Sequence, residues 1–295
     1  MRRISWISRI LLHTANALAI GFLVLPLLPV LLGSLQSEKA LQQDVFALLP
    51  RQLTLANFQL ILSGGTRRGP IFEQVSYLPA SIARFPSAFV NSVMVGLAVT
   101  IATLTAGSLS AYTVARLNLR WTRALMHASL ATRMVPLIVL TVPLYVLFRG
   151  FGLLNSLSGI VVAEVSFLMP YAVLILAPYF AALPAELEDA ARIDGCTRFG
   201  AFLRIVLPLS TPGLAACGVL MFIISWHELL IPLVLVSKLE AMTLPVIMAG
   251  LVSDYFVFFS LMMSICLLGL LPTVVLVLVL QKYVVRGLVA GALKG

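Results

Sequence analysis

Long apolar runs alternate with short polar segments along most of this chain. Each run is long enough to cross a bilayer as a helix, and the six cover residues 10–35, 88–114, 125–148, 157–182, 214–236 and 259–280. A hydrocarbon core about 30 Å thick needs about 20 helical residues, and backbone groups in lipid must be paired within their own segment. The pattern therefore predicts an all-α fold, a polytopic membrane protein with six transmembrane helices.

The polar segments between the runs define the predicted loops. Residues 36–87 form the one long hydrophilic stretch and 237–258 a shorter one, whereas 184–208 is a compact charged insert and 281–295 a basic tail. A charged insert between two apolar runs cannot lie in hydrocarbon, so it must project into water. The prediction is a single transmembrane domain, 1–295, with these four polar segments outside the bilayer.

Orientation is predicted from the Lys and Arg residues that flank the apolar runs. With both termini in the cytoplasm, twelve of the 20 basic residues fall inside, seven fall outside and Arg133 lies within a run. Five of the seven outside belong to the loop 36–87, and long loops count for little in the rule that cytoplasmic loops are positive. Loop 184–208 and the tail are therefore predicted to be cytoplasmic, and loops 36–87 and 237–258 external.

Loop 184–208 reads locally as a helix, a turn and a second helix. Pro184 suits a first helical position, and Glu186, Glu188 and Asp189 follow where the helix dipole favours negative charge. Asp194-Gly195 is a turn signal in which the glycine can adopt the left-handed conformation. From the residues alone, the loop is either an amphipathic connector at the membrane surface or a docking element for a soluble partner.

Composition narrows the class of protein further. The chain is 61% hydrophobic and 11% charged, with a mean hydropathy of +1.07, so a soluble domain could not bury its apolar surface. The net charge of +9 is spread through short loops beside apolar runs, which indicates contact with membrane lipid and not with nucleic acid. The three cysteines lack metal-ligand spacing, so no metal site is predicted, and no phosphate-binding G-x-x-x-x-G-K-[ST] loop occurs.

A motif in loop 184–208 resembles the EAA loop of ABC-importer permeases. Asp189-Ala190-Ala191, three residues, Gly195, nine residues and Ile205-Val206-Leu207-Pro208 follow the family spacing, with Asp189 standing where the family has Glu. The shorter carboxylate keeps the charge but reaches about one methylene less. The resemblance implies that the loop docks into a cleft of an ATPase subunit through Glu188, Asp189, Ala190, Ala191, Asp194, Gly195, Ile205, Leu207 and Pro208.

The resemblance extends over most of the chain. Phe89-Val90-Asn91-Ser92, Ser225-Trp226-His227-Glu228 and the closing Arg286-Gly287-Leu288 are similar to the carbohydrate-uptake branch, including the smaller permease subunit of the maltose transporter. This implies the type I permease architecture in a bacterial inner membrane. It also implies three kinds of partner, namely a second homologous permease, two ATPase subunits that bind ATP and Mg, and an extracytoplasmic substrate-binding protein. Loop 237–258 would touch the binding protein, and residues 286–295 the ATPases.

Five residues at predicted membrane depth are candidates for a substrate path: Arg133, Glu164, Trp226, His227 and Glu228. A charge within a bilayer needs a partner or water, so such residues point to function by default. Each also has a structural explanation. Arg133 would lie at the membrane interface if its helix begins at Met134. Glu164 would pair with a basic residue on a neighbouring helix, and Trp226 would pack between helices. His227 stands where family members often have Asn, and would add a group that titrates near neutral pH.

Two other classes of function are weighed against an ATP-driven importer. A secondary transporter of small polar solutes, driven by an ion gradient, should contain inverted repeats and paired intramembrane acids, and no repeat is found in the sequence. A membrane-embedded enzyme should contain a nucleophile–base or metal constellation, and His227-Glu228 lacks the second histidine of His-Glu-x-x-His. The chain is therefore expected to be a permease without enzymatic activity of its own. Disaccharides, oligosaccharides, glycerol phosphates and sugar alcohols are all compatible substrates.

Overall fold

The computed structural model describes residues 6–43, 52–66, 80–117, 120–131, 134–252 and 257–292. Within these ranges the regular elements are helical, apart from one isolated antiparallel bridge between Val252 and Val257. Contacts divide the chain into two compact units, Met1–Pro86 with Ile247–Leu271, and Ser87–Val246 with Pro272–Gly295. The predicted all-α fold class is confirmed.

The first apolar run forms two helices that meet at a bend. Helices α1 (Trp6–Val24) and α2 (Leu27–Ser34) are inclined by 47° at the break that contains Pro26, as expected of a residue that removes a backbone donor. The loop that follows contains helices α3 (Glu38–Gln43) and α4 (Ala56–Leu62) and the 3₁₀ turn Ala80–Arg84.

The next three apolar runs give two unbroken helices and one broken segment. Helices α5 (Phe85–Arg116) and α8 (Leu157–Ala181) agree with the prediction, each within three residues at either end. The predicted span 125–148 is instead divided into α6 (Arg120–Ala131), a 3₁₀ turn at Leu137–Leu140 and α7 (Thr141–Gly150). Pro136, with a ψ of 133°, is extended and separates the pieces, because proline cannot continue the hydrogen-bond ladder.

Loop 184–208 and the fifth apolar run contain a series of short helices. These are α9 (Ala185–Ile193), α10 (Arg198–Ala201), a π-helical turn at Phe202–Val206, α11 (Leu207–Leu209), α12 (Thr211–Trp226) and α13 (Leu230–Leu235). The predicted span 214–236 is therefore wrong as a continuous helix. It is interrupted after Trp226, where Glu228 Oε1 accepts hydrogen bonds from the backbone N–H groups of Leu230 and Ile231 and so begins a new helix.

The chain ends with the helices α14 (Leu244–Ala249) and α15 (Phe259–Ala292). Three segments, Ala80–Arg116, Leu157–Ala181 and Phe259–Lys282, are long and apolar enough to cross a bilayer unbroken. Counting each of the two bent pairs, Ile10–Val24 with Leu27–Ser34 and Arg198–Leu209 with Thr211–Trp226, as one span raises the number to five. The predicted polytopic membrane architecture is confirmed, and among the described residues the run 125–148 is a broken segment and not a candidate span.

In the first unit, a buried carboxylate holds the N-terminus of α15. Glu38 is 3% exposed and accepts hydrogen bonds from Phe259 N at 3.0 Å, Ser260 N at 2.9 Å and Ser260 Oγ at 2.7 Å. These N–H groups lie at the start of a helix, where they have no intrahelical partner and where a negative charge is favoured. Glu38 therefore joins the segment after α2 to the last helix.

In the second unit, α5 packs closely against α8 and α12 through small residues. A Cβ added at Gly107 would lie 2.7 Å from the Cβ of Ala172 on α8, and one added at Gly96 would lie 2.9 Å from the ring of Phe222 on α12. Phe89 also packs edge-on against Trp226, with ring centroids 5.6 Å apart. Small residues allow this close approach, as the Gly- and Ala-rich sequence of α5 predicts.

Candidate functional site

Loop 184–208 is built from short helices that end where the sequence predicts. Helix α9 carries Glu186 and Glu188 in its first turn and Arg192 in its last, as the helix dipole favours. It ends at Gly195, whose φ of +90° confirms the predicted left-handed turn. Cys196 N donates to Ala191 O at 2.9 Å and Gly195 N to Arg192 O at 3.1 Å, the paired bonds of a Schellman motif. The turn is therefore fixed by backbone bonding.

The second half of the loop begins at a hydroxyl cap and ends in a sharp bend. Thr197 Oγ1 accepts a hydrogen bond from Gly200 N at 3.0 Å and so starts α10. The π-helical turn and α11 continue this segment, and Arg198–Leu209 is inclined by 78° to α12. The segment Arg198–Leu209 thus turns away from the direction of α12.

One side of the loop, here called the inner face, is held by the C-terminal end of α5. Arg116 Nε lies 2.7 Å from Glu188 Oε1, and Tyr112 donates its hydroxyl to Glu188 Oε2 at 2.7 Å. Arg116 also donates to the carbonyl of Leu183 at 2.8 Å. The side chains of Arg116 and Glu188 are 15% and 11% exposed. One guanidinium therefore connects α5 both to α9 and to Leu183, two residues before α9.

The same inner face continues into an aromatic cluster. Phe202 is 1% exposed, and its ring centroid lies 4.8 Å from that of Tyr112 and 6.1 Å from that of Phe180 at the end of α8. Tilted and edge-on rings at such distances attract beyond the area they bury. The two halves of the loop are thus both attached to α5, the first by an ion pair and the second by ring packing.

The opposite side of the loop, here called the outer face, is exposed and mixed in character. Ile193 is 87% exposed, Phe199 58% and Leu187 42%. Asp189 is exposed as well, and its Oδ1 lies 3.3 Å from Arg192 Nη1. Exposed apolar side chains grouped with charges are typical of a surface that another molecule covers.

The predicted docking residues divide between the two faces. Asp189, Ala190, Asp194, Gly195 and Pro208 are exposed, and Ile205 and Leu207 are half-buried. Glu188 and Ala191, at 9% and 8% exposure, belong to the inner face. Glu188 is thus engaged with α5 within this chain and does not lie on the outer face.

A second candidate site is a cavity of about 300 Å³ near the break after α12. Its lining includes Pro136, Glu164, Phe167, Tyr171, Ser225 and Glu228. Glu164 is 2% exposed and accepts a hydrogen bond from the Ser225 hydroxyl. The structure therefore brings together two of the five predicted path residues, Glu164 and Glu228, in a pocket that combines carboxylates, hydroxyls and aromatic rings.

Of the other three predicted path residues, two lie elsewhere and one is outside the described residues. Trp226 is 3% exposed and packs between Phe89 and Phe222, with its ring 5.8 Å from that of Phe222 and nearly parallel to it. This is the helix-packing role, so Trp226 is not a stacking platform in the cavity. His227 is exposed at the end of α12 and does not line the cavity. Arg133 lies outside the described residues, as do residues 293–295 of the tail.

Two functional groupings were not predicted from the sequence. Tyr112 lies within the predicted span 88–114 and Arg116 lies just after it. Nothing in the local sequence indicates that Tyr112 bonds to Glu188, 76 positions away. Asn91 was noted within a family motif but given no role. It donates to the carbonyls of Glu240 at 2.9 Å and Met242 at 3.0 Å, and Leu244 N donates to Ser92 Oγ at 2.7 Å.

No group of three His, Cys, Asp or Glu side chains suited to a metal ion occurs in the part of the chain that the structure describes. The sequence likewise predicted neither a metal site nor a resident cofactor. The described residues thus contain two candidate sites, a polar cavity and a loop that is attached to α5 and has an exposed outer face.

This chain is similar in sequence and in structure to known transport proteins. A family profile described as "Binding-protein-dependent transport system inner membrane component" matches residues 103–289. The trehalose transport system permease protein SugB of Mycobacterium tuberculosis is 32% identical over 282 residues, 95% of this chain and 96% of that protein. The arabinooligosaccharides transport system permease protein AraQ of Bacillus subtilis is 31% identical over 272 residues, 92% and 90% of the two chains.

Two further similarities agree with these. The trehalose/maltose transport system permease protein MalG of Thermococcus litoralis is 33% identical over 214 residues, 72% of this chain and 76% of that protein. A crystal structure of a bacterial ABC transporter involved in the import of the acidic polysaccharide alginate matches with a TM-score of 0.72 at 20% identity, covering 96% of this chain and all of the other. At that identity the structural match shows the shared fold.

Proposed function

Because the chain belongs to the family of binding-protein-dependent transport system inner membrane components, we propose that it is a membrane-spanning permease subunit of an ATP-driven importer for a sugar or a related polyol or oligosaccharide. Its partners are a second homologous permease, two ATPase subunits that bind ATP and Mg, and an extracytoplasmic binding protein. It lies in a bacterial inner membrane with both termini in the cytoplasm. The family match favours this function over a secondary transporter driven by an ion gradient.

The observation that carries the proposal is the division of loop 184–208 into two faces. The outer face exposes Leu187, Ile193, Phe199 and Asp189, whereas the inner face is fixed to α5. Three large exposed apolar side chains on a charged loop suit a surface that another molecule covers. A loop that docks needs such a surface, and it needs a firm attachment behind it.

The proposed mechanism follows from that attachment. When the ATPase subunits close on ATP, they move the outer face, and the load passes through Glu188 and Phe202 to α5 and α8. Only a difference in contact free energy between the two states of the ATPase can shift the permease between its outward-open and inward-open states. The chain itself contributes no phosphate-binding loop, so hydrolysis belongs to the partner.

The docking proposal is tested by co-purification of the ATPase with the tagged importer. Replacing Ile193 with Ser removes the most exposed aliphatic side chain of the outer face and should weaken ATPase binding by roughly 1–2 kcal/mol, as for an interface residue of moderate importance. Leu209→Ser is the matched control, since Leu209 is 50% exposed but lies beyond the loop. Equal retention of the ATPase by both variants would contradict the docking role.

We assign the cavity to the substrate path. Glu164 and Glu228 line it with Ser225 and Tyr171, and carboxylate and hydroxyl acceptors are the groups that orient sugar hydroxyls within a mostly apolar pocket. Support for a carbohydrate comes from the relatives, whose names refer to trehalose, maltose and arabinooligosaccharides. An ionisable residue at this depth in a span also favours a functional role.

The cavity assignment is tested by transport kinetics. Glu164→Gln keeps the shape of the side chain and an oxygen that can accept from Ser225, but it replaces the other carboxyl oxygen with an amide group. We expect the apparent KM for the sugar to rise by roughly five- to tenfold, the value of one hydrogen bond. Ser158→Ala, an exposed position on the same helix, should transport normally. Unchanged kinetics in Glu164→Gln would remove this cavity from the path and leave the docking proposal intact.

A further inference from the structure

We propose that α5 and its two bonded ends form a transmission element, which carries the state of the ATPase-docking loop to the segment 240–244 on the other side of the permease. Asn91 and Ser92 hydrogen-bond to that segment at one end of the helix. Tyr112 and Arg116 bond to the loop at the other end. These four are positioning residues, because they act through the loops that they hold. The inference rests on the proposed function and names the route by which its two ends communicate.

At the C-terminal end, Arg116 spans the joint where a lever would bend. The joint is the stretch Ala182–Pro184 between α8 and α9, and Arg116 donates to Leu183 O at 2.8 Å while it contacts Glu188 at 2.7 Å. A rotation of α9 about this joint would break one of two largely buried contacts. Because a buried charge left without its partner is costly, α9 and the end of α5 are expected to move together.

At the N-terminal end, three hydrogen bonds join Asn91 and Ser92 to backbone groups of segment 240–244. The Asn91 amide donates to the carbonyls of Glu240 and Met242, and Ser92 Oγ accepts from Leu244 N. Asn91 is 7% exposed and Ser92 4% exposed, so water competes little for these bonds. The segment belongs to the loop 237–258 that is proposed to face the binding protein.

Between the two ends, the helix is unbroken and tightly packed. Asn91 and Arg116 are 25 positions apart on α5, about 38 Å at 1.5 Å per residue, which exceeds the thickness of a hydrocarbon core. Gly107 meets Ala172 on α8, and Gly96 meets Phe222 on α12. Close contacts of this kind resist sliding of one helix past another. A displacement at one end is therefore delivered to the other.

A second anchor of the same external loop supplies a control. Asn155, with a φ of 56°, accepts hydrogen bonds through Oδ1 from Ser237 N at 2.8 Å and Lys238 N at 2.9 Å. It lies in the turn between α7 and α8 and makes no use of α5. Asn155→Gly removes these bonds while suiting the left-handed backbone. It therefore loosens the same loop without touching the proposed route.

The experiment reads each end while the opposite end is altered. The importer is assembled in proteoliposomes from this chain, its partner permease, its ATPase and its binding protein, and ATP hydrolysis is measured with and without sugar-loaded binding protein. We expect Arg116→Lys, which keeps the charge but cannot reach Leu183 O and Glu188 together, to lower the stimulation by binding protein at least about fivefold, the lower end of allosteric coupling. Asn91→Ala should do the same, with the ATPase still co-purifying.

A second readout separates transmission from local damage. In the wild-type importer, amide exchange at Leu244 should change when ATP closes the ATPase, and in Arg116→Lys that change should disappear. The matched control Ser158→Ala, at an exposed position on α8, should behave as the wild type in both measurements. Asn155→Gly loosens the external loop itself but leaves α5 bonded at both ends, so it should keep the ATP-dependent change at Leu244. Arg116→Lys is conservative, so a folded complex is expected.

The outcomes are distinguishable. Normal stimulation and a normal Leu244 response in Arg116→Lys would overturn the transmission role of α5 and leave the importer assignment standing. Loss of the Leu244 response in Asn155→Gly as well as in Asn91→Ala would likewise overturn it, since the route would then not be specific to α5. A wild-type chain that binds no ATPase, or is not stimulated by binding protein, would overturn the proposed function itself.

Discussion

Two ion pairs start from neighbouring residues of α9 and point in opposite directions. Glu188 turns inward and meets Arg116 of α5 at 2.7 Å, with the two side chains 11% and 15% exposed. Asp189 turns outward and meets Arg192 of its own helix at 3.3 Å, with the two side chains 66% and 48% exposed. Each pair joins a carboxylate to an arginine, and the surroundings differ.

The difference shows how one short loop meets two demands. An exposed pair on a helix surface contributes about 0.3–0.5 kcal/mol and exchanges readily with water or another partner. A buried pair is costly to break, because removing one member leaves the other charged in a poor solvent. The inner pair therefore fixes the loop to the membrane helices, and the outer pair leaves its carboxylate available for a docking partner.

The largest expected contrast between the faces comes from their aromatic residues. Phe202→Ala should lower the free energy of unfolding of the purified chain by about 3–5 kcal/mol, because it empties a site that is 1% exposed. Phe199→Ala, at 58% exposure and with its ring 6.2 Å from that of Phe202, should lower it by only about 0.5–1.5 kcal/mol. Thermal unfolding in detergent measures both. Similar shifts in the two variants would mean that the inner face does not hold the loop.

The two ion pairs give the next contrast. Glu188→Ala should destabilise the chain by about 3 kcal/mol, since it leaves Arg116 largely buried beside Tyr112 without a carboxylate. Asp189→Ala should stay within about 0.5 kcal/mol of the wild type. Raising the salt concentration should reduce the small effect at Asp189 and leave the effect at Glu188 nearly unchanged. The same thermal assay, repeated at two ionic strengths, decides between them.

A smaller effect is expected from removing one hydroxyl. Tyr112→Phe keeps the ring that packs on Phe202 and removes the 2.7 Å bond to Glu188 Oε2. The loss should be about 1.5–2 kcal/mol, as for a hydrogen bond to a charged group. In a double-mutant cycle with Glu188→Ala the two losses should not add, because they break the same contact. Additive losses would show that the bond contributes nothing to the attachment.

The smallest expected change in stability is at the outer carboxylate. Asp189→Glu restores the residue that the family motif has at this position and lengthens the side chain by one methylene. Stability should change by less than about 0.5 kcal/mol, since Asp189 is exposed. If this carboxylate contacts the ATPase, the affinity of the ATPase should nevertheless change, and titration of the ATPase against the reconstituted permease measures it.

The sequence predicted those features that depend on local chemistry. The apolar runs located α5 and α8, and Gly195 marked the end of α9 because only a residue without a side chain adopts its φ of +90° at little cost. The breaks at Pro136 and Glu228 were missed, because hydropathy is insensitive to one residue that removes or caps a backbone donor. An apolar run therefore located a span but not its continuity.

The sequence could not assign partners that lie far apart in the chain. Glu188 was assigned to the docking motif because it lies beside Asp189. Its ion pair with Arg116, 72 positions earlier, depends on how α5 packs. Trp226 was a candidate for the substrate path, and its packing against Phe89 and Phe222 places it between helices. Charge and periodicity indicate which residues need a partner, and only the fold indicates which partner each one finds.

The most direct test of the central claim is the accessibility of the outer face on each side of the membrane. Ile193→Cys, with Cys196 replaced by Ser, is treated with a membrane-impermeant maleimide in intact cells and in inverted vesicles. The account predicts no labelling in intact cells, labelling in inverted vesicles stripped of the ATPase, and protection when the ATPase is added back. Labelling of Ile193→Cys from outside intact cells would contradict it.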